Sequence, residues 1–93
     1  TAISFDNNGS DIYTIIEVDT RDRKSLLYDL SKTLTASNIY IASAVISTYG
    51  VQVVDTFYVK DMFGLKFYSK SKQNKIEARL KEAILKGFER AIR

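Results

Sequence analysis

The apolar residues of this 93-residue chain change period three times, and that alternation limits its fold more than any other feature. Ile3-Ser4-Phe5 is a short β-prone stretch, and Asp6 to Asp11 is rich in residues that form side-chain turns, which predicts a hairpin. Ile12-Tyr13-Thr14-Ile15-Ile16-Glu17-Val18 is β-branched and aromatic on both alternating faces, as expected of a central strand buried on both sides. At Leu26 the period becomes helical. Leu26, Leu27, Leu30 and Leu34 share one stripe, Asp22 is placed to cap the helix, and Asn38 suits a left-handed stop. Ile39 to Thr48 and Val51 to Val59 then read as two long strands joined by a tight turn at Tyr49-Gly50. Leu65-Lys66-Phe67-Tyr68 reads as a short strand or an extended loop. From Ser71 onward, Ile76, Leu80, Ala83, Ile84, Phe88 and Ile92 line one face of a second helix, which Gly87 interrupts and is expected to fray.

The resulting order is strand, strand, helix, strand, strand, helix. Because a strand–helix–strand crossover is right-handed, both helices belong on one face of a sheet of about four strands. This predicts a single domain over residues 1–93 with an α+β, ferredoxin-like sandwich: an antiparallel sheet, two helices on one face, and the permuted order ββαββα. No strand follows the second helix, so Ile3–Phe5 is expected to fill the vacant sheet edge. The sheet face away from the helices has nothing left to cover it, and an uncovered apolar face of several hundred Å2 usually marks an interface.

Composition removes most chemistries. The chain has no Cys and no His, so thiolate nucleophiles, imidazole bases and the usual zinc ligands are missing, and no catalytic residue or metal site is expected. No apolar run approaches the ~20 residues that span a bilayer, and no signal-like segment opens the chain, so neither a membrane nor export is expected and the cytoplasm is the predicted compartment. With Thr1 first and Met62 the one methionine, the chain is expected to be excised from a larger protein. Residues 1–65 carry five Lys/Arg against eight Asp/Glu, whereas residues 66–93 carry nine against three. Glu77/Lys81, Glu82/Lys86 and Glu89/Arg93 stand four apart in the favourable order, which makes the basic segment a solvated helix face rather than a nucleic-acid surface. The aromatic residues invite comparison with RNA-binding sandwiches, yet the K/R-G-F/Y-G/A-F-V-x-F/Y string is absent and Asp55 occupies the strand that should be basic. No nucleic-acid partner is expected. The polar cluster Asp19 to Ser25 precedes the first helix, where N-terminal amides can hold a carboxylate.

Several strings carry a resemblance: Asp22-Arg23 with Leu26-Leu27-Tyr28-Asp29-Leu30, then Asn38-Ile39, Ala42-Ser43-Ala44, Thr48-Tyr49-Gly50 and Val54-Asp55-Thr56-Phe57-Tyr58-Val59. Together they resemble the ACT domain, the small amino-acid-sensing module attached to metabolic enzymes. Phe57-Tyr58-Val59-Lys60-Asp61-Met62-Phe63-Gly64-Leu65-Lys66, with Asp6-Asn7 upstream, is similar to the subfamily found at the C-terminus of bacterial bifunctional uridylyltransferase/uridylyl-removing enzymes. Plant ACT-repeat proteins share parts of the pattern and the permuted order.

The resemblance implies a regulatory domain, catalytically silent alone, that binds an amino acid, glutamine foremost. It would shift a parent nucleotidyltransferase and uridylyl-removing hydrolase between modifying and demodifying the PII signal protein in nitrogen regulation. By the same resemblance the ligand lies between the loop before the first helix and the second strand of a partner ACT unit, touching Asp22, Arg23, Ser25, Leu26, Asn38, Ile39, Tyr40 and Ile41. No cofactor is implied for this domain, a magnesium ion being a matter for the parent. Where the family pattern reads Pro-Gly, this chain has Lys24-Ser25, so the alternative is an ACT-type assembly module that pairs without ligand.

Overall fold

The structure is a computed structural model that describes the backbone of residues 1–92 and the side chains of residues 1–89. Its elements run β1 (Ala2–Asp6), β2 (Thr14–Arg21), α1 (Leu26–Ala36), β3 (Tyr40–Tyr49), β4 (Gln52–Lys60) and α2 (Lys70–Ile92). The four strands form one sheet in the order β1-β2-β4-β3, and every adjacent pair is antiparallel. This is the ferredoxin-like α+β sandwich expected from the pattern, with β1 on the vacant edge beside β2.

Period two decides which side chains meet the helices. Thr14, Ile16, Val18 and Thr20 of β2 and Val53, Asp55, Phe57 and Val59 of β4 are buried. They lie directly across from one another, Ile16 opposite Phe57 and Val18 opposite Asp55. Leu26, Leu30 and Leu34 of α1 and Ile76, Leu80 and Ile84 of α2 close that face into one core with Ile39 and Phe67. β2 departs from the expectation of burial on both sides: Ile15 and Asp19 are only half-buried, and Glu17 and Arg21 are exposed. Both helices occupy the same face, so the opposite one keeps its contact with solvent, and a central position does not bury it.

The local chemistry also departs from the sequence pattern at Ser25 and Leu27. The residue that caps α1 is Ser25, not Asp22, and its side chain makes no capping hydrogen bond. Its backbone is left-handed, at φ 65 and ψ 14, where the family pattern has glycine. Leu27, assigned to the core stripe, stands 37% exposed at the edge of α1. Of the two readings open for Leu65 to Tyr68, the structure takes the loop. That loop is held by Asp61, whose Oδ1 accepts from the N–H groups of Phe63 and Leu65, and by Thr14, whose Oγ1 accepts from the N–H of Phe67 at 3.1 Å. Asn38 does take the left-handed stop at φ 63, and Ile39 N–H returns to Leu34 O at 3.1 Å.

Gly87 does not fray the helix. α2 runs through it, and the glycine is buried because the guanidinium of Arg23 passes over its Cα: a Cβ built there would collide with Arg23 Nη2. Glu77–Lys81 and Glu82–Lys86 form ion pairs at 3.2 and 2.9 Å on the outer face. The Glu89/Arg93 pairing and the place of Ile92 on the apolar face lie outside the described residues.

Two stability measurements test this account. Gly87→Ala is expected to lower the free energy of urea unfolding by about 1–3 kcal/mol, because the methyl group overpacks a closed site. Helix propensity alone would raise it by about 1 kcal/mol. Ser25→Gly is expected to raise it by up to about 1 kcal/mol by relieving a left-handed backbone that costs an L-residue roughly 1–2 kcal/mol.

Candidate functional site

A cavity of about 230 Å3 opens where the β2–α1 loop and the first turn of α1 overhang the ends of β3 and β4. Four of the eight residues predicted from the sequence, Asp22, Arg23, Ser25 and Leu26, line it. The loop is pinned to the sheet by Asp22 N–H, which donates to Val51 O at 2.8 Å in the β3–β4 turn. The left-handed turn at Ser25 then swings the chain into α1, so that Leu27 and Tyr28 face the cavity as well.

Arg23 serves this wall in an unexpected way. Its side chain is 6% exposed and turns away into the helix layer, where Nη2 stands 2.9 Å from Asp29 Oδ2 and donates to Ala83 O at 3.2 Å. Nη1 donates to Lys24 O at 3.0 Å, and the guanidinium sits 5.6 Å from the ring centre of Phe88. Through Nη1 and Nη2 the guanidinium ties the loop to both helices, while its Nε is buried without a hydrogen-bond partner.

The other four predicted residues are elsewhere. Asn38 ends α1, Ile39 is in the core, Tyr40 is 62% exposed at the start of β3, and Ile41 is half-buried opposite Val59. The cavity contains Thr48 at the far end of the same strand, so within one chain the two groups of residues do not meet.

Sequence reasoning missed the floor of the cavity, which is formed by Ile46, Val53 and Asp55. Asp55 is 2% exposed, and its Oδ2 is buried without a hydrogen-bond partner. The signal was present: Asp55 is in phase with Val53, Phe57 and Val59, which places a carboxylate at a core position. Burial raises its carboxyl above the ordinary value of 3.8, and the nearby charge of Asp22 raises it further. An isolated buried charge is costly unless something pairs with it.

Two other depressions lack such a group. A groove of about 390 Å3 between the helices is lined by Lys32, Arg79, Glu82 and Lys86 at solvent, and one of about 520 Å3 lies beside Ile12, Leu65 and Tyr68. The predicted residues touch neither.

The β3 edge of the sheet is open. It pairs with β4 alone, and Tyr40, Val45, Ile46 and Tyr49 are each about half exposed or more, between 49% and 66%. A long apolar edge strand of this kind is a template for another strand.

Residues 2–93 match the sequence profile of a family described as ACR9-like, ACT-like domain. The chain belongs to the ACT-like domain family. Among curated relatives, a bifunctional uridylyltransferase/uridylyl-removing enzyme of Cereibacter sphaeroides is 70% identical over 91 residues, covering 98% of this chain and 10% of the relative. Enzymes of the same name from Ruegeria pomeroyi and Azospirillum brasilense are 68% and 50% identical, over 98% and 88% of this chain and 10% and 9% of theirs. This ACT domain therefore spans about a tenth of the length of the curated relatives it matches. No solved structure matches it. No helix among the described residues is long and apolar enough to cross a membrane.

The buried carboxylate has a pH signature. With its pKa raised, the folded state holds the Asp55 proton more tightly than the unfolded chain, so this residue's contribution to stability falls as pH rises from 3.8 through the raised folded value. Below 3.8 both states are protonated and the difference vanishes. Asp55→Asn is expected to be at least as stable as the wild type at pH 7 in urea unfolding. The advantage shrinks as pH falls through that window and is gone near pH 3.

Proposed function

We propose that this ACT domain is an amino-acid sensor, with glutamine as the favoured ligand, forming one unit of a larger cytoplasmic uridylyltransferase/uridylyl-removing enzyme. The observation that carries the reading is the cavity under the β2–α1 loop, which gathers Asp22, Ser25 and Leu26 around a buried unpaired carboxylate beside an open sheet edge. Its relatives' name supports the choice of parent, and the parent's substrate is then the PII signal protein. Reaction chemistry, including any need for magnesium, belongs to parts of the parent beyond this domain.

The open edge supplies the second ACT unit. Antiparallel pairing of two β3 strands about a two-fold axis sets the start of one against the end of the other. Asn38, Ile39, Tyr40 and Ile41 of one unit then come beside the partner's loop and cavity, which reunites the two groups of predicted residues across an interface. Coupling to the parent follows when the ligand binds one arrangement of the pair more tightly than another.

Calorimetric titration of this chain with glutamine, with glutamate and serine as controls and mass measured in the same buffer, tests the proposal. Glutamine-selective heat with a dimeric mass is expected, and Val45→Lys on the exposed edge is expected to give a folded monomer with glutamine affinity reduced at least about tenfold. A dimer that takes up no amino acid would establish the assembly module instead.

A further inference from the structure

Resting on the reading of this cavity as an amino-acid site, we propose that the carboxylate of Asp55 receives a primary ammonium group. The ligand then lies with its ammonium inward against β4 and its carboxylate at the first turn of α1.

The argument begins with what surrounds Asp55. Its neighbours across the sheet are Val18 on β2 and Ile46 on β3, neither of which has a side-chain donor, and its own Oδ2 has no hydrogen-bond partner. Among the described residues Arg23 is the one cation lining the cavity, and its Nη atoms are committed to Asp29, Ala83 O and Lys24 O. Asp22 stands at the rim and adds a second negative charge near the first. A cavity with two carboxylates and no available cation attracts a positively charged group. An ammonium offers three donors to an acceptor that has no hydrogen-bond partner within the chain.

The opposite wall has the reverse character. α1 begins here with no side-chain cap; Leu26 N–H donates to Arg23 O, and the N–H groups of Leu27 and Tyr28 carry the partial positive charge of a helix N-terminus. An acceptor floor facing a donor wall across a small cavity matches the two charged ends of a free α-amino acid. A volume of about 230 Å3 is below the range usual for drug-sized ligands and fits a compact metabolite.

The test compares L-glutamine, N-acetyl-L-glutamine and the remaining proteinogenic amino acids by calorimetry on wild type and Asp55→Asn, with thermal melting as the control for folding. Glutamine is expected to bind the wild type, N-acetyl-L-glutamine at least about tenfold more weakly, and Asp55→Asn to lose about 10- to 100-fold in glutamine affinity, the range of a hydrogen bond between charged groups. Its melting temperature is expected to be unchanged or higher, whereas a residue needed only for packing would lower it. If N-acetyl-L-glutamine binds as well as glutamine, or Asp55→Asn binds like wild type, the role of Asp55 is overturned while the glutamine reading stands. If another amino acid binds in an Asp55-dependent way and glutamine does not, the role stands and glutamine falls. If nothing in the panel binds, both are overturned.

Discussion

The guanidinium of Arg23 ties the loop before α1 to both helices. It starts in the β2–α1 loop, pairs with Asp29 one turn into α1, and reaches the Ala83 carbonyl on α2. Gly87 leaves the space through which it passes. A buried cation must be paired or the fold bears its desolvation cost, so the loop, the angle of α1 and the position of α2 are set together. The cavity is a by-product of that constraint. With Arg23 drawn into the helix layer, the loop arches over the ends of β3 and β4 and leaves room beneath it.

Asp55 shows the opposite condition, a buried charge with no partner. The rest of the core is apolar, or satisfied as at Thr14 and Thr20, where hydroxyls find partners in Asn7, Phe67 and Thr1. One unpaired carboxylate in such a core is a local conflict, and conflicts that fold and packing do not require mark the places where a ligand contributes. It lies on the interior strand β4, which is paired on both sides, while the wall above it is a short loop.

The long-range pattern was legible in the residues because it depends on periodicity. Leu26, Leu30 and Leu34, like Ile76, Leu80 and Ile84, fall on the helical repeat, and Val53, Phe57 and Val59 fall on the strand repeat, so both helices and the sheet could be placed to within a few residues. The candidate site was half legible. Asp22, Arg23, Ser25 and Leu26 are adjacent in sequence and arrive together, whereas Asn38 to Ile41 are separated from them by the length of β3. Arg23 has the composition of a binding residue but a structural use, because its partners Asp29, Ala83 and Phe88 come from two helices that no local pattern associates with it. Gly87 looked like a weak point for the same reason: the side chain that needs its missing Cβ is 64 positions earlier in the chain.

By itself the sequence determined the ββαββα order, the permuted edge strand, the absence of thiol and imidazole chemistry and the family, since all of these follow from local period and residue type. The tertiary structure alone decided that Arg23 ties the loop to both helices, that Ser25 adopts a left-handed turn without glycine, and that Asp55 is the unpaired floor of a cavity. Those outcomes depend on distances between residues far apart in the chain, and only the packing of α1 and α2 on one face of the sheet sets those distances.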